Sequence, residues 1–162
     1  SRRGVSINME ISSPLGDGFR DILEAPPVVT FAPTVPRSLL PQRLADFDLL
    51  IIPYNFDPGA IRLFQLSWPT KLPEYMMSGT PILLYAPAGM AFVEYARQQN
   101  CAFVLDKKGQ HEVEAALQHI IENDELRPRF ADTSRMVALR DEDNQKIRQR
   151  FERIIQGVVA VS

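Results

Sequence analysis

The chain is expected to fold as an α/β protein, with a mainly parallel sheet covered by helices on both faces. Three observations predict this. The apolar runs Leu49 to Ile52 and Ile82 to Tyr85 are continuous rather than alternating, as suits strands buried on both faces. Segments with apolar residues at helical spacing alternate with the strand-like runs. The connections between them are short, as strand–helix–strand crossovers require. About five strands and six or seven helices are predicted.

In chain order, Val5 to Ile11 reads as a strand and Gly16 to Leu23 as a short helix ended by Pro26 and Pro27. Val28 to Ala32 is a second strand. Ser38 can cap a helix to about Asp46, with Pro41 tolerated in its first turn. The strand Leu49 to Ile52 is stopped by Pro53, and Asn55 to Ser67 reads as a long connection at the carboxyl edge of the sheet, where such folds bind ligands. Lys71 to Ser78 is a helix closed by Gly79, Ile82 to Tyr85 a buried strand, Ala91 to Gln99 a helix and Ala102 to Leu105 a short strand. Val113, Ala116, Leu117, Ile120 and Ile121 mark a further helix. Asp124 to Arg135 is read as a short helix or two turns, and Ile147, Phe151, Ile154 and Ile155 mark the last helix.

A length of 162 residues, 45% hydrophobic and 23% charged, suits one soluble domain spanning the whole chain, 1–162. A net charge of −2 speaks against a large nucleic-acid footprint. The single cysteine, Cys101, excludes an intrachain disulfide and reads as a buried thiol. No apolar run approaches the roughly 20 residues of a membrane span, so the expected compartment is the cytoplasm. The chain opens at Ser1 close to its first strand-like run, and reads as a piece of a longer, two-domain protein.

The segment Trp68 to Pro81 carries the chemistry. Pro73 is compatible with a helix only in its first turn, which places the helix start near Thr70, whose hydroxyl can cap it. Free N–H groups at that end favour a phosphate, and Lys71 adds a full charge there. Glu74 shares a face with Lys71 and Ser78, and its carboxylate can accept from both hydroxyls of a ribose. The same i, i+3 pair also reads as a surface ion pair worth a few tenths of a kcal/mol. Met76 and Met77 read as core. His111 and His119 stand too far apart for one metal, with His111 at a helix start; no metal site is expected. Asp141 to Asp143 reads as an acidic helix N-terminus. Arg127, Arg129, Arg135 and Arg140, with Lys146 to Arg153, form a basic face that could meet anionic lipid or a companion domain. Tyr54 reads as either cleft lining or packing.

The run Lys71 to Ile82 resembles the donor-binding segment of glycosyltransferases of the two-Rossmann (GT-B) type, of the group 1 or family 4 kind. Ala45 to Pro53 is similar to the strand that precedes that segment, in the same order and with similar spacing, and the resemblance covers roughly Val28 to Ile121. It implies a Rossmann-like three-layer sandwich, half of a GT-B architecture, that binds a nucleoside diphosphate sugar as donor substrate and needs no cofactor or metal. The implied reaction moves the sugar to a glycan or lipid-linked acceptor in polysaccharide biosynthesis, with an N-terminal acceptor-binding domain of the same protein completing the site. Peripheral contact with the inner face of the membrane is a further implication. Glu74 matches the ribose-binding glutamate and Lys71 a diphosphate-binding lysine; Thr70 would line the phosphate site, and the turn at Pro33 and Val35 would sit against the base. Where many members carry a sugar-facing glutamate, eight positions before Glu74, this chain has Leu66; Asn55 and Asp57 are the substitute candidates for facing the sugar. The alternative reading is a non-catalytic α/β binding or scaffold module derived from a transferase half. A receiver-like or nucleotide-sensing fold is disfavoured, because no aspartate cluster stands at the strand ends.

Overall fold

A computed structural model describes residues 6–12 and 28–141. The fold is α/β and Rossmann-like, with five parallel strands and six helices among the described residues. The chain divides into two compact units, 1–40 and 41–162. Hydrogen bonding groups the strands into two sheets, of two and three strands. The predicted helix at Gly16 to Leu23 and the helical pattern from Ile147 to Ile155 lie outside the described residues.

In the first unit, β1 (Met9–Ser12) pairs in parallel with β2 (Val29–Ala32), Met9 opposite Val29 and Ser12 opposite Ala32. The Ser12 hydroxyl donates to the Pro33 carbonyl at 3.3 Å, tying the two strand ends together.

The second unit is built on β3 (Leu50–Pro53), β4 (Ile82–Tyr85) and β5 (Phe103–Leu105), in that order and all parallel. Around them run α1 (Leu40–Ala45, whose first residue ends the first unit), α2 (Pro58–Phe64), α3 (Lys71–Ser78), α4 (Ala91–Gln99), α5 (Gln110–Glu122) and α6 (Leu126–Asp141). The central strand explains the continuous apolar run: Ile82, Leu83 and Leu84 are all buried, so both faces of β4 are covered. Ile82 and Leu84 join Leu72 and Met76 of α3, Phe92, Val93 and Ala96 of α4, and Val137 and Ala138 of α6 in one core. Each large side chain buried there is worth roughly 1.5–3 kcal/mol.

Pro53 does not stop β3 but ends it, opposite Tyr85. β3 is an edge strand, so a missing N–H costs the sheet no bond on its open side. Tyr54 carries the ladder on, its N–H donating to the Tyr85 carbonyl at 2.8 Å. Gly79 closes α3 in the left-handed region, at φ 77°, as expected. The structure corrects the short helix or two turns expected over Asp124 to Arg135. α6 runs on to Asp141, because nothing after Pro128, in its first turn, breaks it. It packs on α3 and buries Ala131, Ser134, Val137 and Ala138. Met76 is buried as expected, whereas Met77 is exposed.

Candidate functional site

α3 follows β3 and leads into the parallel β4, so it runs against the strands and its N-terminus stands at the carboxyl edge of the sheet. Leu72 and Met76, fully buried, fix the helix against the core. Lys71 is its first residue and is exposed. Glu74 lies in the first turn, half-buried, on the same side as Lys71. The Tyr75 phenol is pushed above its ordinary value, first by burial and then by the Glu74 charge beside it.

Thr70 does not act as expected. Its backbone is helical, φ −61° and ψ −24°, and its hydroxyl makes no capping bond. A side-chain cap needs an extended residue at that position, so that the oxygen can fold back onto the next amides. Pro69 takes part of that role through its backbone, its carbonyl accepting from Leu72 N–H at 3.0 Å. Pro73 has no N–H to offer. The amides of Thr70 and Lys71 stand at this end of the helix.

The connection Asn55 to Ser67 is not a plain loop but contains α2. Asp57 is its N-cap, extended at φ −68° and ψ 134°, with Oδ1 accepting from Gly59 N–H at 2.8 Å and Ala60 N–H at 3.3 Å. Pro58 follows as first helical residue. Cap and proline are a sequence-level start signal that the reading of Asn55 to Ser67 as a long connection passed over. Asn55 Oδ1 accepts from Asp57 N–H at 2.9 Å in a local turn. The two side chains expected to face a sugar thus make backbone bonds within their own segment.

Aromatic side chains crowd this part of the second unit. Phe56 lies against Tyr85 with centroids 4.9 Å apart, Tyr54 against Phe92 at 4.7 Å, and Trp68 edge-on to Tyr95 at 4.9 Å. The Tyr85 hydroxyl accepts from Gly109 N–H at 3.3 Å, which ties the end of β4 to the start of α5. Tyr54 therefore packs, its ring joining the core.

At the far end of α4, Tyr95 Oη donates to Asp141 Oδ2 at 2.6 Å, and Arg140 donates to Asp141 and to Gln99 Oε1, the latter at 2.8 Å. The Asp141 carboxyl falls to about 2, through the Arg140 bond first and the Tyr95 bond second. Burial and Asp141 together hold the Tyr95 phenol well above its usual range. Asp141, the last described residue, lies within α6 rather than opening a helix as expected. The neighbouring basic face is partly neutralised as well, since Arg127 pairs with Asp124 at 2.6 Å; Lys146 to Arg153 lie outside the described residues.

Pro33 and Val35 belong to the first unit, just beyond β2, with Pro33 exposed and Val35 half-buried. Leu66 is strongly exposed, at 83%. His111 is the second residue of α5 and exposed, and His119 meets Asn123 on the last turn, Nδ1 to Nδ2 at 3.3 Å. Cys101 is fully buried, and that burial raises its thiol to about 11, so it is a poor nucleophile. Among the described residues no group of three or more His, Cys, Asp or Glu is placed to hold a metal, and no helix is long and apolar enough to cross a membrane.

A depression of about 340 Å³ lies at the opposite, amino edge, between Asp48, Gly79, Thr80 and Pro81 and the start of α6 at Arg127 and Pro128. It is open and shallow, and it adjoins the C-terminal end of α3, away from Lys71. Lys71 and Glu74 stand instead at the carboxyl edge. No protein-family model matches the chain, and no curated protein matches it.

Proposed function

We propose that this chain is the donor-binding domain of a GT-B-type glycosyltransferase, which moves a sugar from a nucleoside diphosphate sugar to a glycan or lipid-linked acceptor. One observation carries the reading. The N-terminus of a well-anchored helix, α3, stands without a Thr70 side-chain cap at the carboxyl edge of a parallel sheet, with Lys71 at its first position and Glu74 within its first turn. The amides there and the Lys71 ammonium would meet the diphosphate, and the Glu74 carboxylate would accept from the ribose hydroxyls. As the glycosidic bond breaks, negative charge grows on the departing diphosphate, and the fixed positive end of α3 together with Lys71 stabilises it there. The proposal rests on the second unit alone.

Titration of the chain with UDP, GDP, ADP and CDP tests this. One diphosphate is expected to bind, with affinity reduced at least about tenfold by Lys71→Ala and by Glu74→Ala. Binding that both variants leave unchanged would refute the site. The scaffold reading draws on one observation, the exposed Leu66 where a sugar-facing carboxylate would be expected. Absence of binding by all four nucleotides, with the domain shown folded, would favour it.

A further inference from the structure

One stripe of α4 grips the chain just before α3. Ala91, Tyr95 and Gln99 are spaced four residues apart, so they line one side of that helix. At its start, Ala91 N–H donates to the Gln65 carbonyl at 2.8 Å. One turn on, the Tyr95 ring and the Trp68 indole meet edge-on, with centroids 4.9 Å apart. At its end, Gln99 Oε1 accepts from Arg140 at 2.8 Å. The stripe therefore joins the connection before α3 to Arg140 and Asp141 of α6.

Tyr95 stands in the middle of the stripe and is held at two points. Its ring meets Trp68, and its hydroxyl donates to Asp141 Oδ2 at 2.6 Å. A ring tethered at its far end keeps one rotamer, so the surface it offers to Trp68 is fixed. Trp68 is followed by Pro69, which is buried and whose own ring locks its backbone φ. The Pro69 carbonyl in turn accepts from Leu72 N–H at 3.0 Å, inside the first turn of α3. Indole, proline and first turn make a short, stiff path from Tyr95 to Lys71, with Thr70 the one residue between Pro69 and Lys71. We propose that Tyr95 is a positioning residue for the start of α3: through Trp68 it sets the direction in which the chain enters the helix, and so the place of Lys71 and the first amides. This role rests on α3 binding a nucleoside diphosphate, as proposed above.

Trp68 is the chain's one tryptophan, so its emission reads this contact without any ligand. The full chain is titrated with UDP, GDP, ADP and CDP, and the diphosphate that binds is then used on each variant. Tyr95→Leu removes ring and hydroxyl. It should weaken binding about fivefold, move the Trp68 emission to longer wavelength and make it easier to quench with acrylamide. Tyr95→Phe keeps the ring and should stay within about twofold of the parent. Trp68→Leu breaks the same contact from its exposed side, so it serves even where Tyr95→Leu does not fold. It should also weaken binding about fivefold, and the double variant no more than either single one. Ile120→Ala opens a cavity under α5 and controls for lost stability alone; emission and affinity should both be unchanged. Parent-like affinity in Tyr95→Leu and Trp68→Leu, with Lys71→Ala still weakening binding, would overturn the positioning role and leave the site standing. So would additive losses in the double variant, or an equal loss in Ile120→Ala. Absence of binding by the parent would refute the nucleotide reading itself, and this role with it.

Discussion

Two helices follow β3 on the way to β4, and they are built in opposite ways. α2 is closed at its N-terminus by the Asp57 carboxylate, yet it buries none of its side chains. α3 buries Leu72 and Met76, yet the Thr70 side chain makes no capping bond. The first is stabilised locally and the second by the core. The consequence for anions follows. Asp57 accepts from two amides of α2 and puts a negative charge where a phosphate would sit, whereas α3 places Lys71 beside its first amides. Tertiary packing lets α3 form without a bond from the Thr70 hydroxyl.

The largest expected effect comes from removing what anchors α3. Leu72→Ala should lower the stability of the domain by about 2–5 kcal/mol, read from the urea midpoint; a loss under about 1 kcal/mol would mean that the core does not hold the helix. The caps should respond in the opposite order to the anchors. Asp57→Ala should cost about 1 kcal/mol, Asp57→Asn almost nothing since Asn caps equally well, and Thr70→Ala within about 0.5 kcal/mol of the parent. An effect of Thr70→Ala equal to that of Asp57→Ala would erase the contrast. Asp57→Asn is also the clean probe of a sugar-facing role, because it keeps the cap and removes the charge.

A smaller effect depends on pH. The Asp141 carboxyl is lowered in the folded state, to about 2. Its contribution to stability is therefore complete above the unfolded value, near 4, and is lost as pH falls from there toward 2. Tyr95→Phe, which removes one of its two donors, should cost on the order of 1 kcal/mol near neutrality, discounted for the partly exposed pair. That difference should shrink as pH falls through this window. A difference that stays constant from pH 6 to about pH 2 would mean the Tyr95–Asp141 bond is not its source.

Most of the second unit was legible in the sequence, because there the local and tertiary signals agree. Ile82 to Tyr85 is a strand at the residues expected, and Gly79 adopts the left-handed conformation that few other residues tolerate. The misses have separate physical reasons. α6 outran its expected end because Ala131, Ser134 and Ala138, small residues on its buried side, give little apolar periodicity to read. Met77 has the composition of core but lies on the outer side of α3. Asp57-Pro-Gly59 is a helix start inside the segment Asn55 to Ser67, which reads in the sequence as a long connection. At the site, the position of Lys71 and Glu74 on α3 could be read from two prolines and a glycine. The missing Thr70 cap could not, since it depends on backbone angles. Nor could the Tyr95–Asp141 contact, which joins side chains far apart in the chain.

The contrast between the two helix starts is tested most directly by following the backbone amides of the isotopically labelled chain as the bound nucleoside diphosphate is added. The amides of Thr70, Lys71 and Glu74 are expected to shift in a saturable way, while those of Gly59 and Ala60, held by Asp57, stay in place. Shifts centred on Gly59 and Ala60, or on Thr80 and Arg127 at the amino edge, would contradict it.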